Sequence, residues 1–371
     1  MKNLSKLFIV LLTLQTLTIF ANNPENPKKN TIKVALLLDT SNSMDGLINQ
    51  AKTQLWEIVN QLSYAKCENE NPYLQIALYE YGNDNLSSRE GYIRQVIGFS
   101  SDLDEISEKL FALTTNGGNE FCGEVIQTSL KQLEWGNNKN DLKLIFIAGN
   151  EPFTQGKINY VDASAQANEQ GVTINTIFCG DYQTGVYGKW QDGARLTNGD
   201  YMAIDHNEAI VHIASPYDDI IIQLNNQLND TYIYYGTQGY NKMQLQSAQD
   251  KNAAELNEVV VVKRAVSKSN RVYKNASWDL VDAEDDKSFS YEKLDKKSLP
   301  KELQNKTITE LKKYVADKRK ERTDIQKRIN DLNKLRNEYV ANKRKETSKS
   351  DLESAMINAI KKQAKTKNYV W

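Results

Sequence analysis

Apolar and polar positions divide the chain into stretches with two different periods. Residues 32–38 are apolar except for Lys33 and read as a buried parallel strand. The run stops at Asp39-Thr40-Ser41-Asn42-Ser43-Met44, after which Leu47, Ile48, Ala51, Leu55, Ile58, Val59 and Leu62 recur at helical spacing. Residues 73–81 alternate like a strand. Residues 93–99 follow as another, across a polar link that suits a hairpin. Ser101 predicts the cap of a helix reaching about Leu113, and a loop through Gly117-Gly118-Asn119-Glu120 precedes a helix to about Trp135. Residues 142–148 and 172–179 are two more buried strands, with a helix between them near 162–170. A short helix at 190–197, an edge strand at 201–204 and an amphipathic helix at 217–228 complete the pattern. Strands alternating with helices in this way predict an α/β fold: a doubly wound, Rossmann-like, mostly parallel sheet flanked by helices.

Beyond this region, 31–230, the pattern changes. Residues 231–299 read as a connector, aromatic and Gly-rich at first, helical near 244–258, with short apolar runs at 259–262 and 276–281 that suit strands or a docking segment. Residues 300–345 predict one long helix, with Leu311, Val315, Ile325, Ile329, Leu332 and Tyr339 at heptad-like spacing and Lys318, Arg322 and Arg336 interrupting the seam. Straight, it would span about 65 Å. A break at 348–350 and a second helix to about 365, with Leu352, Met356, Ile357, Ile360 and Ala364 on one face, make 300–371 a basic helical hairpin or coiled-coil-like stalk, with self-association through it one expectation.

Charge follows the same division. The chain carries a formal net charge of −1, but residues 301–371 hold 20 Lys and Arg against 10 Asp and Glu, while residues 22–300 hold 25 against 38. The tail has no aromatic interleaving, so it reads as a solvated face or stalk and not as a nucleic-acid site. Residues 1–21 have a basic start (Lys2, Lys6), an apolar core and a cleavage-like Ile19-Phe20-Ala21, which predicts a signal peptide and a periplasmic or secreted protein. No other window reads as a transmembrane segment. Three cysteines (Cys67, Cys122, Cys179) and two histidines (His206, His212) exclude an ordinary zinc site. There is no Gly-rich phosphate loop, nucleophile elbow or acid–base constellation, so no enzyme is expected.

The candidate chemistry sits where the first strand ends. Asp39, Ser41 and Ser43 place a carboxylate and two hydroxyls at alternate positions, on a loop at the carboxyl end of a strand where open α/β sheets bind ligands. Such oxygens suit Mg²⁺, Ca²⁺ or Mn²⁺. The same residues also suit a helix cap, with Asp39 at the positive end of the helix dipole.

Asp39-x-Ser41-x-Ser43 after a buried strand, the Gly117-Gly118 loop before a helix, and a strand ending Ile147-Ala148-Gly149-Asn150-Glu151-Pro152 together resemble a von Willebrand factor type A domain of the exported bacterial type. The resemblance spans roughly residues 31–230. It implies a metal-ion-dependent adhesion site: a divalent cation, Mg²⁺ foremost, held by Asp and Ser oxygens, with one open position for an acidic residue of a protein partner. Two positions depart from the family. Glu120 stands where a Thr ligand is usual, and Gly149 where an Asp is usual. The implied ligand set is therefore Asp39, Ser41, Ser43, Glu120 and Asn150, a set in which Glu120 lowers the ion's appetite for a partner's carboxylate. The alternative is a degenerate, metal-free site in a structural scaffold assembled through the tail. Glu120-x-Cys122-Gly123-Glu124 is also similar to the second loop of the hemicentin branch, whose matching strand likewise ends in Cys. A Cys122–Cys179 disulfide at the rim of the sheet is expected on that resemblance, with Cys67 unpaired.

Overall fold

A computed structural model describes residues 30–204, 213–345 and 352–371. The expected signal peptide, His206, His212 and the expected break at 348–350 lie outside the described residues. The chain begins with β1 (Thr31–Asp39), α1 (Asp45–Ser63), β2 (Lys66–Cys67), β3 (Tyr73–Tyr81) and β4 (Ile93–Ser100). Then come α2 (Leu103–Phe111), α3 (Cys122–Gln132), β5 (Leu142–Gly149), α4 (Tyr160–Glu169) and β6 (Thr173–Cys179). α5 (Tyr182–Tyr187), α6 (Trp190–Arg195), β7 (Tyr201–Ile204) and α7 (Asp218–Asn229) follow. The main sheet has the order β4-β3-β1-β5-β6-β7, parallel throughout except for β4, which runs antiparallel to β3.

Alternation along β1 feeds two cores. Ile32, Val34, Leu36 and Leu38 pack on one face with Leu55, Trp56, Val59 and Leu62 of α1, while Ala35 and Leu37 pack on the other with Val125 and Ile126 of α3. The chain leaves β1 for β3 on one side and returns to β5 on the other, so the order reverses around β1. Asp39, the last residue of β1, stands at that crevice.

The connector and tail build a third layer over the face of α1, α2 and α7. It consists of α8 (Gly239–Leu256), α9 (Glu258–Lys268), α10 (Leu280–Ala283), α11 (Ile308–Lys345), α12 (Leu352–Lys365) and β8 (Tyr369–Val370). The run at 259–262 is the buried stripe of α9 and not a strand: Asn257 caps the helix by accepting the Val259 N–H, and Val260, Val262, Ala265 and Val266 enter the core shared with α1. The run at 276–281, expected as a strand or a docking segment, makes a single bridge, Tyr234 to Asp279, before α10, and buries Trp278, Leu280 and Val281.

A stalk standing clear of the domain is not what the tail forms. Leu311 and Val315 of α11 pack with Leu280, Val281 and Tyr291, and Ile325 and Ile329 enter the main core. The cations that interrupt the seam are the reason. Arg322 turns inward and donates to Asp279 (2.6 Å), Asp282 (3.2 Å) and the Thr231 carbonyl (2.8 Å), with its guanidinium 4.1 Å from the centre of the Tyr232 ring. Arg336 pairs with Asp218 of α7 at 2.8 Å. Farther on, α12 lies against α1 and β7, and β8 pairs antiparallel with β2. Among the described residues no helix is long and apolar enough to cross a membrane.

Candidate metal centre

Three loops meet above the carboxyl ends of β1, β3 and β5. The first keeps its shape through the Asp39 carboxylate, whose Oδ1 accepts the Ser41 N–H at 2.7 Å. The Ser41 and Ser43 hydroxyls lie 3.3 Å apart, and Asn150, from the loop after β5, donates through Nδ2 to Ser43 Oγ at 3.0 Å. From the second loop, Glu120 reaches the same place: its carboxyl and that of Asp39 lie within interaction range of each other and of Ser41. Asp39, Ser41, Ser43, Glu120 and Asn150 are thus brought together, from parts of the chain up to 111 residues apart.

Sequence reasoning missed the residues that hold these loops to one another. Asn83, just past β3, donates through Nδ2 to the carbonyls of Thr40 (3.3 Å) and Thr114 (2.9 Å), which ties the first loop to the second. The Asn116 N–H also donates to the Thr40 carbonyl, at 3.0 Å. Thr115 donates to Asp45 and so is turned away from the carboxyl pair. Gly82 has φ +78°, and a Cβ there would stand 2.8 Å from Glu120 Cγ and 2.9 Å from Asp39 Oδ1, so only glycine fits between the two acids. Tyr81-Gly82-Asn83-Asp84 repeats the signal read at Asp39, an apolar strand breaking into polar residues.

The departure at position 149 has a steric cause. A side chain on Gly149 would meet the Tyr81 hydroxyl at 2.5 Å, the Trp190 ring at 3.1 Å and Asp39 Oδ2 at 3.2 Å. Trp190 is fully buried, donates to the Glu151 carbonyl at 2.8 Å and packs against Phe153 and Phe178. An Asp at 149 has no room beside it.

The electrostatics of the centre are dominated by burial. Desolvation, with the facing Glu120 carboxyl adding to it, pushes Asp39 well above the usual carboxylate range, and desolvation pushes Glu120 up as well. Asp39 Oδ2, Glu120 Oε2 and Asn150 Oδ1 are buried and accept no hydrogen bond. Buried acceptors without donors on neighbouring loops are what a bound cation would satisfy, and two carboxylates with hydroxyl and amide oxygens are the donor set of a hard divalent ion. Among the described residues no group of three or more His, Cys, Asp or Glu is placed to hold a metal.

The expected Cys122–Cys179 disulfide is not formed. All three cysteines are free and buried. Phe178 and Cys179 alternate across β6, which leaves Cys179 in the core on the α1 face, whereas Cys122 lies in the core on the α3 face with its sulfur 3.8 Å from the Tyr81 hydroxyl. Burial holds both thiols well above their ordinary pKa.

Residues 33–189 match the family model of the von Willebrand factor type A domain, and a domain of that type occupies this part of the chain. No curated protein matches the chain. Among solved structures, the conserved hypothetical protein BatB from Bacteroides thetaiotaomicron is similar at 15% identity over 47% of this chain and 90% of that one, with a TM-score of 0.36. An aerotolerance-related membrane protein from Bacteroides fragilis is similar at 16% identity over 47% and 92%, with a TM-score of 0.33. Proximal thread matrix protein 1 from the mussel byssus, with a zinc-occupied MIDAS motif, is similar at 13% identity over 48% and 43%, with a TM-score of 0.36.

Proposed function

We propose that the chain is an exported, non-enzymatic binding module that engages a protein partner through a divalent cation, Mg²⁺ foremost, at the crevice above β1. The observation that carries the reading is the set of three buried, donorless oxygens of Asp39, Glu120 and Asn150, contributed by three different loops. When bound, the cation supplies a Lewis-acidic position that accepts an oxygen of the partner. Asp39 and Glu120 hold the charge, Ser41 and Ser43 offer hydroxyl oxygens, and Asn150 orients Ser43 while keeping its own carbonyl oxygen free. Asn83 and Gly82 fix the distance between the loops. Recognition is then a matter of the exposed rim, and no nucleophile or general base is required.

Calorimetric titration of Mg²⁺, Ca²⁺ and Mn²⁺ into the protein, with Asp39→Ala as control, tests this. Saturable binding lost in the variant is expected, and absence of binding by the wild type would sink the proposal. Capture of a partner from the envelope of the exporting cell, sensitive to EDTA, is the matching functional result. A mature N-terminus near Asn22 is expected from N-terminal sequencing, and an uncleaved Met1 would argue against export. The rival reading, a scaffold assembled through the tail, is not favoured, because Leu311, Val315, Ile325 and Ile329 are buried within their own chain.

A further inference from the structure

We propose that Glu120 is a second anionic ligand beside Asp39 and that the loaded site therefore selects a neutral oxygen of the partner, an amide or a hydroxyl, over a carboxylate. The inference rests on the divalent-cation reading above and specifies the group that the cation takes.

The argument is one of charge and space. Asp39 and Glu120 flank the same point above Gly82, both are at least 96% buried, and each leaves one oxygen without a donor. A divalent ion between two carboxylates is neutral as a unit, and Ser41, Ser43 and Asn150 add only uncharged oxygens. Thr115 is engaged by Asp45 instead, so the second loop offers Glu120 in place of a hydroxyl. Position 149 has no room for a side chain, so the third loop adds no further charged group there. A partner carboxylate would bring a net negative charge into a site screened from water, where like charges repel strongly. The rim adds to that repulsion. Asp84 Oδ2 lies beside Gly117, and Asp45 faces Thr115. An amide or hydroxyl oxygen fills the coordination position without adding charge, and an amide also brings donors to the acceptor-rich rim.

Acetate and acetamide form a matched pair of probes, equal in size and different in charge. Mn²⁺-loaded protein should broaden the methyl proton line of acetamide more than that of acetate, with Mg²⁺-loaded protein as the diamagnetic blank. Glu120→Thr, which removes one charge and supplies a hydroxyl, should shift the ratio toward acetate by about tenfold or more, as loss of one close repulsion implies. Glu120→Gln, which keeps the shape of the side chain, should shift it in the same direction and covers a folding defect in the Thr variant. Equal or stronger broadening of acetate by the wild type, or a ratio unmoved in both variants, overturns the proposal. Free Mn²⁺ measured by electron paramagnetic resonance separates the two readings. A wild type that takes up no Mn²⁺ overturns both, whereas one that takes it up and prefers acetate overturns only this one.

Discussion

Replacing Arg322 with Met should destabilise the whole protein, and the size of the loss reports how firmly the tail is part of the domain. Arg322 is 4% exposed and its main partner, Asp279, is fully buried. Its donors reach Thr231 Oγ1 (3.0 Å), the Thr231 carbonyl (2.8 Å), both oxygens of Asp279 (2.6 and 3.2 Å) and Asp282 (3.2 Å). Methionine keeps most of the bulk against Tyr232 but leaves Asp279 with only the backbone N–H groups of Ile233 and Asp282, and with Asp282 still beside it. Removing one member of a buried charge pair typically costs about 3–5 kcal/mol. With a urea slope near the upper end of the ordinary range, about 3 kcal/mol/M, the midpoint should fall by about 1–1.7 M. Unfolding should be followed by both tryptophan fluorescence and far-UV circular dichroism, and the two curves should coincide. Adding Asp279→Asn to Arg322→Met should recover part of the loss, because the stranded charge is then gone. A cost below about 1 kcal/mol, the value of an exposed pair, would refute the reasoning. So would a separate early transition for the tail.

Further outcomes can be checked directly. Gly82→Ala should cost about 1 kcal/mol in stability from its left-handed backbone and weaken Mn²⁺ binding sharply in calorimetry, because the new methyl displaces Glu120 and Asp39. Lys268, buried against Asp250 and Asn229, is pulled down to about pKa 8 by desolvation. Between about pH 8 and 10 the unfolded chain holds this proton more tightly than the folded one, so the Lys268 contribution makes stability rise with pH, and Lys268→Met should flatten that slope in thermal melts. Asp250 acts in the same sense at the acid extreme. Its carboxylate is held below the usual range by Lys268 and Arg264 despite burial, so its contribution is present above about pH 4 and lost as acid protonates it. Deleting residues 366–371 should expose Cys67, whose thiol lies against the Lys367 carbonyl at 3.6 Å, to a thiol reagent in the native protein, while Cys122 and Cys179 stay unreactive.

What the sequence disclosed follows from what periodicity measures. The strand ending at Asp39 and the helix after it were readable because a buried run breaks into oxygen-bearing residues at one point. Glu120 and Asn150 were readable as loop residues equivalent to family ligands, although their contacts were not. Asn83 follows the same strand-to-polar break as Asp39, but that break does not tell which polar side chain turns back to bridge two loops. The cysteines were misjudged because rim position was read without strand parity, and parity decides which face of the sheet a residue enters. The heptad-like seam of α11 was correct as a stripe, but a stripe states what a helix buries and not against what. The cations inside the seam were the missing cue. Arg322 and Arg336 meet Asp279, Asp282 and Asp218, so part of the charge asymmetry between tail and body is complementarity within one molecule.

Pairing of β8 with β2 joins Tyr369 to Cys67, and Trp371 donates to the Gln61 carbonyl across 310 residues of chain. The segment with the family signature, 33–189, is made long before the residues that cover it. Until α9 and the final turns of chain emerge, Trp56, Val59 and Leu62 have no cover on their outer side, and a fragment cut to the family boundaries would carry that bare apolar face permanently. Such a fragment should be sticky in solution, and a nascent chain should need shielding until α9 and β8 have emerged.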